Sequence, residues 1–117
     1  MFDFYFSMKD KEKTDTLINI FLDDCRETPN GFIRTFSVDE TIDEIKKNKS
    51  INILSLDNDL GENLKEGREV LNWLEEEYYT NKNFKLPNKI IIHSSNPCAR
   101  KYMMQIIEKL YNSSSLS

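Results

Sequence analysis

Apolar and polar positions alternate in blocks along the chain, and the blocks predict its elements. Leu17 to Leu22 (LINIFL) has the composition of a buried strand, broken by DDCRETPNG. Phe32 to Phe36 (FIRTF) reads as a second strand. Ser37 with Glu40 three residues on forms a capping box, so a helix starts there, with Val38, Ile42 and Ile45 as its apolar stripe. Ile51 to Leu56 (INILSL) is a third buried strand, followed by the polar loop DNDLGENLKEG. The spacing predicts a helix from about Arg68 to Tyr79, with Val70, Leu71, Leu74 and Tyr78 facing inward and Trp73 on the flank. Lys89 to His93 (KIIIH) is the fourth strand. Asn96 caps a last helix with Pro97 at its first position, and Tyr102, Met103, Ile106, Ile107 and Leu110 make its stripe.

Strands alternating with helices indicate an α/β domain with a mostly parallel sheet. The first crossover is too short for a full helix, so a degenerate turn or a short helical piece is expected there. The domain is placed at residues 17–111. Residues 1–16 are read as an N-terminal extension or, from the alternation in FDFYF, an edge strand. Residues 112–117, with SSSLS, are expected to fray as a disordered tail.

Three of the buried strands end in polar residues: Asp23, Asp24 and Arg26 after the first, Asp57, Asn58 and Asp59 after the third, and His93, Ser94, Ser95 and Asn96 after the fourth. In an open parallel sheet the carboxyl ends of the strands share an edge, and ligands bind in the crevice outside it. Four carboxylates in one cleft repel each other, so either a proton is shared or a cation binds. Oxygen ligands suit magnesium or manganese, with Asp23, Asp24 and Asp59 as the expected ligands. Any single aspartate could instead cap a helix or bond loop N–H groups. The start of the last helix offers free N–H groups and a positive dipole end to phosphate, with Ser94, Ser95, Asn96, Arg26 and Arg100 as expected anion contacts. A plain Asn-Pro cap and a solvated Arg100 are the alternatives. His93 is the only histidine of the chain. It reads as an acid–base group beside the acids, or as a buried imidazole bonded to a carbonyl.

Composition narrows the field. The chain has 117 residues, enough for one core without staples, and a net charge of −4. That balance argues against general DNA binding. Cys25 and Cys98 form neither a disulfide framework nor a zinc pattern, which fits a reducing cytoplasm. No apolar run of about 18 residues is present, so no membrane span is expected.

As a set, FLDDCRETP, LSLDNDLG, GREVLNWL and HSSNPCARKYM resemble the cyclic-phosphate processing receiver-like domains, small relatives of the two-component receiver domain. The resemblance covers roughly Leu17 to Leu110. It implies a small flavodoxin/receiver-like parallel sheet of order 2-1-3-4 flanked by helices, truncated relative to a full receiver. It also implies a pocket containing Asp23, Asp24, Arg26, Asp57, Asp59, His93, Ser94 and Asn96. Two departures matter: Asn58 stands where the family usually has His, and Ala99 where it has Gly.

On this reading the expected function is metal-assisted hydrolysis of a cyclic phosphate on a nucleotide, an ADP-ribose derivative or an RNA end. His93 and Asp57 would be the catalytic groups. One alternative is a module that sequesters a cyclic nucleotide-like ligand without turnover, a reading favoured by the missing second histidine. Another is a receiver phosphorylated on Asp57, against which the missing fifth strand and its lysine count.

Overall fold

The computed structural model describes residues 17–61 and 64–116. The extension or edge strand expected over residues 1–16 lies outside them. The described elements are β1 (Asn19–Leu22), β2 (Ile33–Thr35), α1 (Val38–Lys47), β3 (Ile53–Leu56), α2 (Arg68–Thr80), β4 (Lys89–Ile92) and α3 (Pro97–Leu116). The four strands form one parallel sheet of order β2-β1-β3-β4, the receiver-like order expected.

Side-chain alternation divides the sheet into two unlike faces. Ile20, Leu22, Leu54, Leu56 and Ile92 pack in one cluster with Val38 and Ile45 of α1, Val70, Leu71 and Leu74 of α2, and Met103 and Ile107 of α3. All three described helices therefore cover the same face. Leu54 and Leu56 are fully buried, and shortening either to Ala would cost about 2–5 kcal/mol. The opposite face carries Phe21, Arg34, Ser55 and Ile91, which are register partners across the strands.

Local chemistry explains the element ends. Ser37 Oγ accepts from Glu40 N at 3.1 Å, and Glu40 reaches back to Phe36 N at 2.7 Å, one residue earlier than an ordinary capping box. Thr41, on the buried side of α1, shares a 2.7 Å hydrogen bond with Thr35 of β2. Between β1 and β2 there is no helix; Gly31, at φ 85°, turns the chain in a conformation that favours glycine. Tyr102, expected on the inner stripe of α3, is 42 % exposed and lies under the Arg68 guanidinium. α3 continues to Leu116, through the serines expected to fray, and no Gly or Pro stands in the way to stop it. No helix among the described residues is long and apolar enough to cross a membrane.

Candidate functional site

The register Leu22–Leu56–Ile92 runs straight across β1, β3 and β4. The hydrogen-bond ladder continues one step past the strands. Asp57 N donates to Leu22 O at 3.0 Å, His93 N to Leu56 O at 2.9 Å, and Asp23 N to Thr35 O at 3.2 Å. Asp23, Asp57 and His93 consequently stand abreast at the carboxyl edge, with their side chains on the face away from the helices.

Asp23 is almost fully enclosed, at 1 % exposure. Its Oδ1 accepts the backbone N–H of Cys25 at 2.8 Å and of Arg26 at 2.9 Å, which folds the loop back on the strand end. Its Oδ2 lies 2.9 Å from His93 Nε2 and 3.9 Å from Arg26 Nε. Burial works to raise the pKa of this carboxyl, but the Arg26 and Cys25 N–H groups and then His93 outweigh it and hold the pKa below its ordinary value. Asp57 is pushed the other way. Burial raises its pKa; the Asn58 N–H, at 2.8 Å, opposes the rise, and the neighbouring charge of Asp23 adds to it. The site thus holds one carboxyl whose pKa is lowered and one whose pKa is raised. A pair separated in this way can divide acid and base work.

His93 is held on three sides. Nε2 faces Asp23, Nδ1 lies 2.8 Å from Ser55 Oγ, and the ring stacks on Phe21 at 4.5 Å between centroids and 8° between planes. Arg26 Nη1 donates to His93 O at 2.9 Å, tying the β1 loop to the end of β4. That bond uses one N–H of the guanidinium fork and leaves others for an anion. Arg34, of β2, braces the loop from below. Its Nε donates to Asp23 O at 2.9 Å and its Nη1 to Thr28 Oγ1 at 2.8 Å, while its guanidinium lies over the rings of Phe21 and Phe36.

The other expected residues are placed as follows. Asp24 and Asp59 are exposed and do not join Asp23. Asp57 and His93 do: each of the three offers one ligand atom, and these atoms lie within 4.8 Å of one another, the one such group of three among the described residues. It could hold a divalent ion. Ser94 is buried and its Oγ accepts from Asn96 N at 3.1 Å. Asn96 Oδ1 accepts from Ala99 N at 3.1 Å, the cap expected of it. Arg100 Nη1 donates to Ile92 O at 3.2 Å, so the side chain folds back along β4. Ser95 is exposed and, with Arg100 and Lys101, lines a hollow of ≈ 560 Å³ beside the start of α3.

Asn58 is structural. Buried to 3 % exposure, it accepts Arg68 N on its Oδ1 at 3.1 Å and Gly67 N on its backbone O at 2.8 Å. It caps α2 from ten residues upstream, where Gly67 supplies no side-chain cap of its own. Sequence reasoning missed Ser55, Phe21 and Arg34 as neighbours of the site. Counting back two from Asp57 and Asp23 reaches Ser55 and Phe21 on the same sheet face, and Ser55 is the one hydroxyl in its apolar strand.

Searches of curated proteins and of solved structures find no match to this chain. A family model does match, described as the cyclic-phosphate processing receiver domain, and it spans residues 18–109, from the start of β1 to the last buried turn of α3. With the parallel 2-1-3-4 sheet and the polar carboxyl edge inside that span, the chain belongs to the cyclic-phosphate processing receiver domain family.

Proposed function

We propose that the protein hydrolyses a cyclic phosphodiester on a nucleotide-like ligand or RNA end at the carboxyl edge of its sheet. The observation that carries this reading is the meeting of Asp23, Asp57 and His93 from three strand ends, with the two carboxyl groups biased in opposite directions. Arg26, Ser95 and the N-terminus of α3 bind the phosphate oxygens, and Arg100 flanks them. Asp57 and His93 divide the proton transfers: one takes a proton from the attacking water and the other delivers one to the leaving ring oxygen. Asp23 stays ionised and orients His93. A divalent ion, magnesium or manganese, would be held by the same three side chains in place of the hydrogen on His93 Nε2 and would supply charge to polarise a phosphoryl oxygen; with an ion bound, Asp57 and His93 would be its ligands and not the proton carriers. The imidazole in the set favours manganese of the two.

A second reading, sequestration without turnover, is favoured by Asn58. It is committed to the α2 cap, so the described site has a single imidazole. One experiment separates the two. A panel of cyclic nucleotides, cyclic ADP-ribose phosphodiesters and 2′,3′-cyclic RNA ends is incubated with and without each ion and read by phosphorus NMR. Ring opening is expected, and His93→Ala should lower its rate by about a hundred- to ten-thousand-fold with little change in calorimetric affinity. A ligand that binds and stays intact removes the enzyme reading in favour of sequestration.

A further inference from the structure

We propose that Ser55 is a positioning residue for His93, donating its hydroxyl hydrogen to Nδ1 so that Nε2–H is the edge presented to Asp23 and the cleft. The inference deepens the reading above and rests on His93 being its proton-transfer group. Ser55 lies in the middle of the central strand β3, 5 % exposed, flanked by Leu54 and Leu56. A hydroxyl buried there needs a partner. The partner the structure gives its Oγ is His93 Nδ1, at 2.8 Å.

The direction of that bond follows from the other end of the ring. Asp23, as a carboxylate, only accepts, so at 2.9 Å Nε2 must carry the hydrogen. A neutral imidazole then has its lone pair on Nδ1, and the hydroxyl is the group that can donate to it. Turning the ring over would set carbon edges against both partners, and the Phe21 stack prevents tilting. The remaining charged neighbours are Asp57, which has a carboxylate oxygen within 4.8 Å of a ring nitrogen of His93, and Arg26, whose Nη1 donates to His93 O. Nδ1 is therefore held by Ser55 of the sheet, and Nε2 is the nitrogen that carries the hydrogen toward Asp23. Buried under the ring, Ser55 acts through His93 and not as a nucleophile.

The test needs neither ligand nor turnover. The chain has one histidine, so nitrogen-15 correlation spectra of uniformly labelled protein, at a pH where the ring is neutral, report its two ring nitrogens without ambiguity. The expected wild-type spectrum shows the proton on Nε2 and Nδ1 as a hydrogen-bonded acceptor. In Ser55→Ala the Nδ1 resonance should move downfield as its bond is lost, and Ser55→Thr should restore it. A wild-type proton on Nδ1, or an Nδ1 resonance unmoved in Ser55→Ala, overturns the proposal. Should Ser55→Ala fail to fold, the wild-type spectrum decides alone. If no cyclic phosphate is opened while these spectra come out as expected, the hydrolytic reading falls and the positioning role stands.

Discussion

Gly67→Ala pits local propensity against tertiary contact. Gly67 has φ −56° and ψ −29°, a helical conformation in which Ala is normally preferred by about 0.5–1 kcal/mol. A Cβ built there would lie 1.7 Å from Asp57 O, 2.8 Å from Asp57 C and 3.1 Å from Asn58 Cα. All three are backbone atoms, so no side-chain rotation relieves the clash. Restoring ordinary contact would require the start of α2 and the Asp57–Asn58 backbone to part by well over 1 Å, and overpacking of this kind costs about 1–3 kcal/mol. The separation also strains the Gly67 N–Asn58 O bond at 2.8 Å and the Arg68 N–Asn58 Oδ1 bond at 3.1 Å. Their loss adds about 0.5–1.5 kcal/mol each. After the propensity gain is set against these costs, a net destabilisation of about 1–5 kcal/mol is expected. Urea unfolding followed by circular dichroism measures it. With a slope of about 2 kcal/mol per molar, the midpoint should fall by about 0.5–2.5 M. A midpoint equal to or above wild type would refute the close approach, and with it the account of how the third strand's loop holds Asp57 in the site.

Asp57→Asn should stabilise the protein at neutral pH. A carboxyl whose folded pKa lies above its unfolded value contributes stability below the unfolded pKa and loses it as pH rises through the folded one. The gain should therefore vanish in acid, and urea midpoints over a pH series that show a neutral-pH loss would contradict the raised pKa. Asp23→Asn should do the reverse. Its depressed pKa gives stability above the unfolded value that is lost as pH falls through the folded one, so the variant is weaker than wild type at neutral pH and converges with it in acid. Manganese at a hundred times its dissociation constant should stabilise wild type by about 2.7 kcal/mol in thermal melts. The response should disappear in Asp57→Asn and His93→Ala and persist in Asp24→Asn and Asp59→Asn; loss in the latter pair instead would return the ion to the exposed acids.

The site separates two aspartates by their surroundings, although both occupy equivalent register positions one residue past a strand. Asp23 receives two backbone N–H groups because its loop turns back at Cys25 and Arg26. Among the described residues the Asp57 carboxyl receives one backbone N–H, that of Asn58. The division of labour proposed for the site thus originates in the segments that follow the strands, not in the strands.

The elements themselves were legible in the chain. Apolar runs of strand length, the Ser37–Glu40 cap and the Asn96-Pro97 start have local physical causes, and each lies where expected to within a few residues. The polar strand ends also announced a shared edge, since parallel strands must all finish on one side. Which acids meet was not legible. Asp23, Asp24, Asp57 and Asp59 are alike in sequence, but inter-strand register and side-chain alternation turn Asp23 and Asp57 toward His93 and leave Asp24 and Asp59 exposed. The partners one step down the sheet were equally hidden. Ser55 and Phe21 lie inside runs that show only buried strands, and it is the β1–β3–β4 pairing that puts one under Nδ1 and the other against the ring of His93. Asn58 looked like a lost catalytic position, and only its contact with the backbone of Gly67 and Arg68 shows it capping a helix. Local interactions decide what each segment becomes; contacts between segments far apart in the chain, which no local pattern encodes, decide what each polar side chain faces.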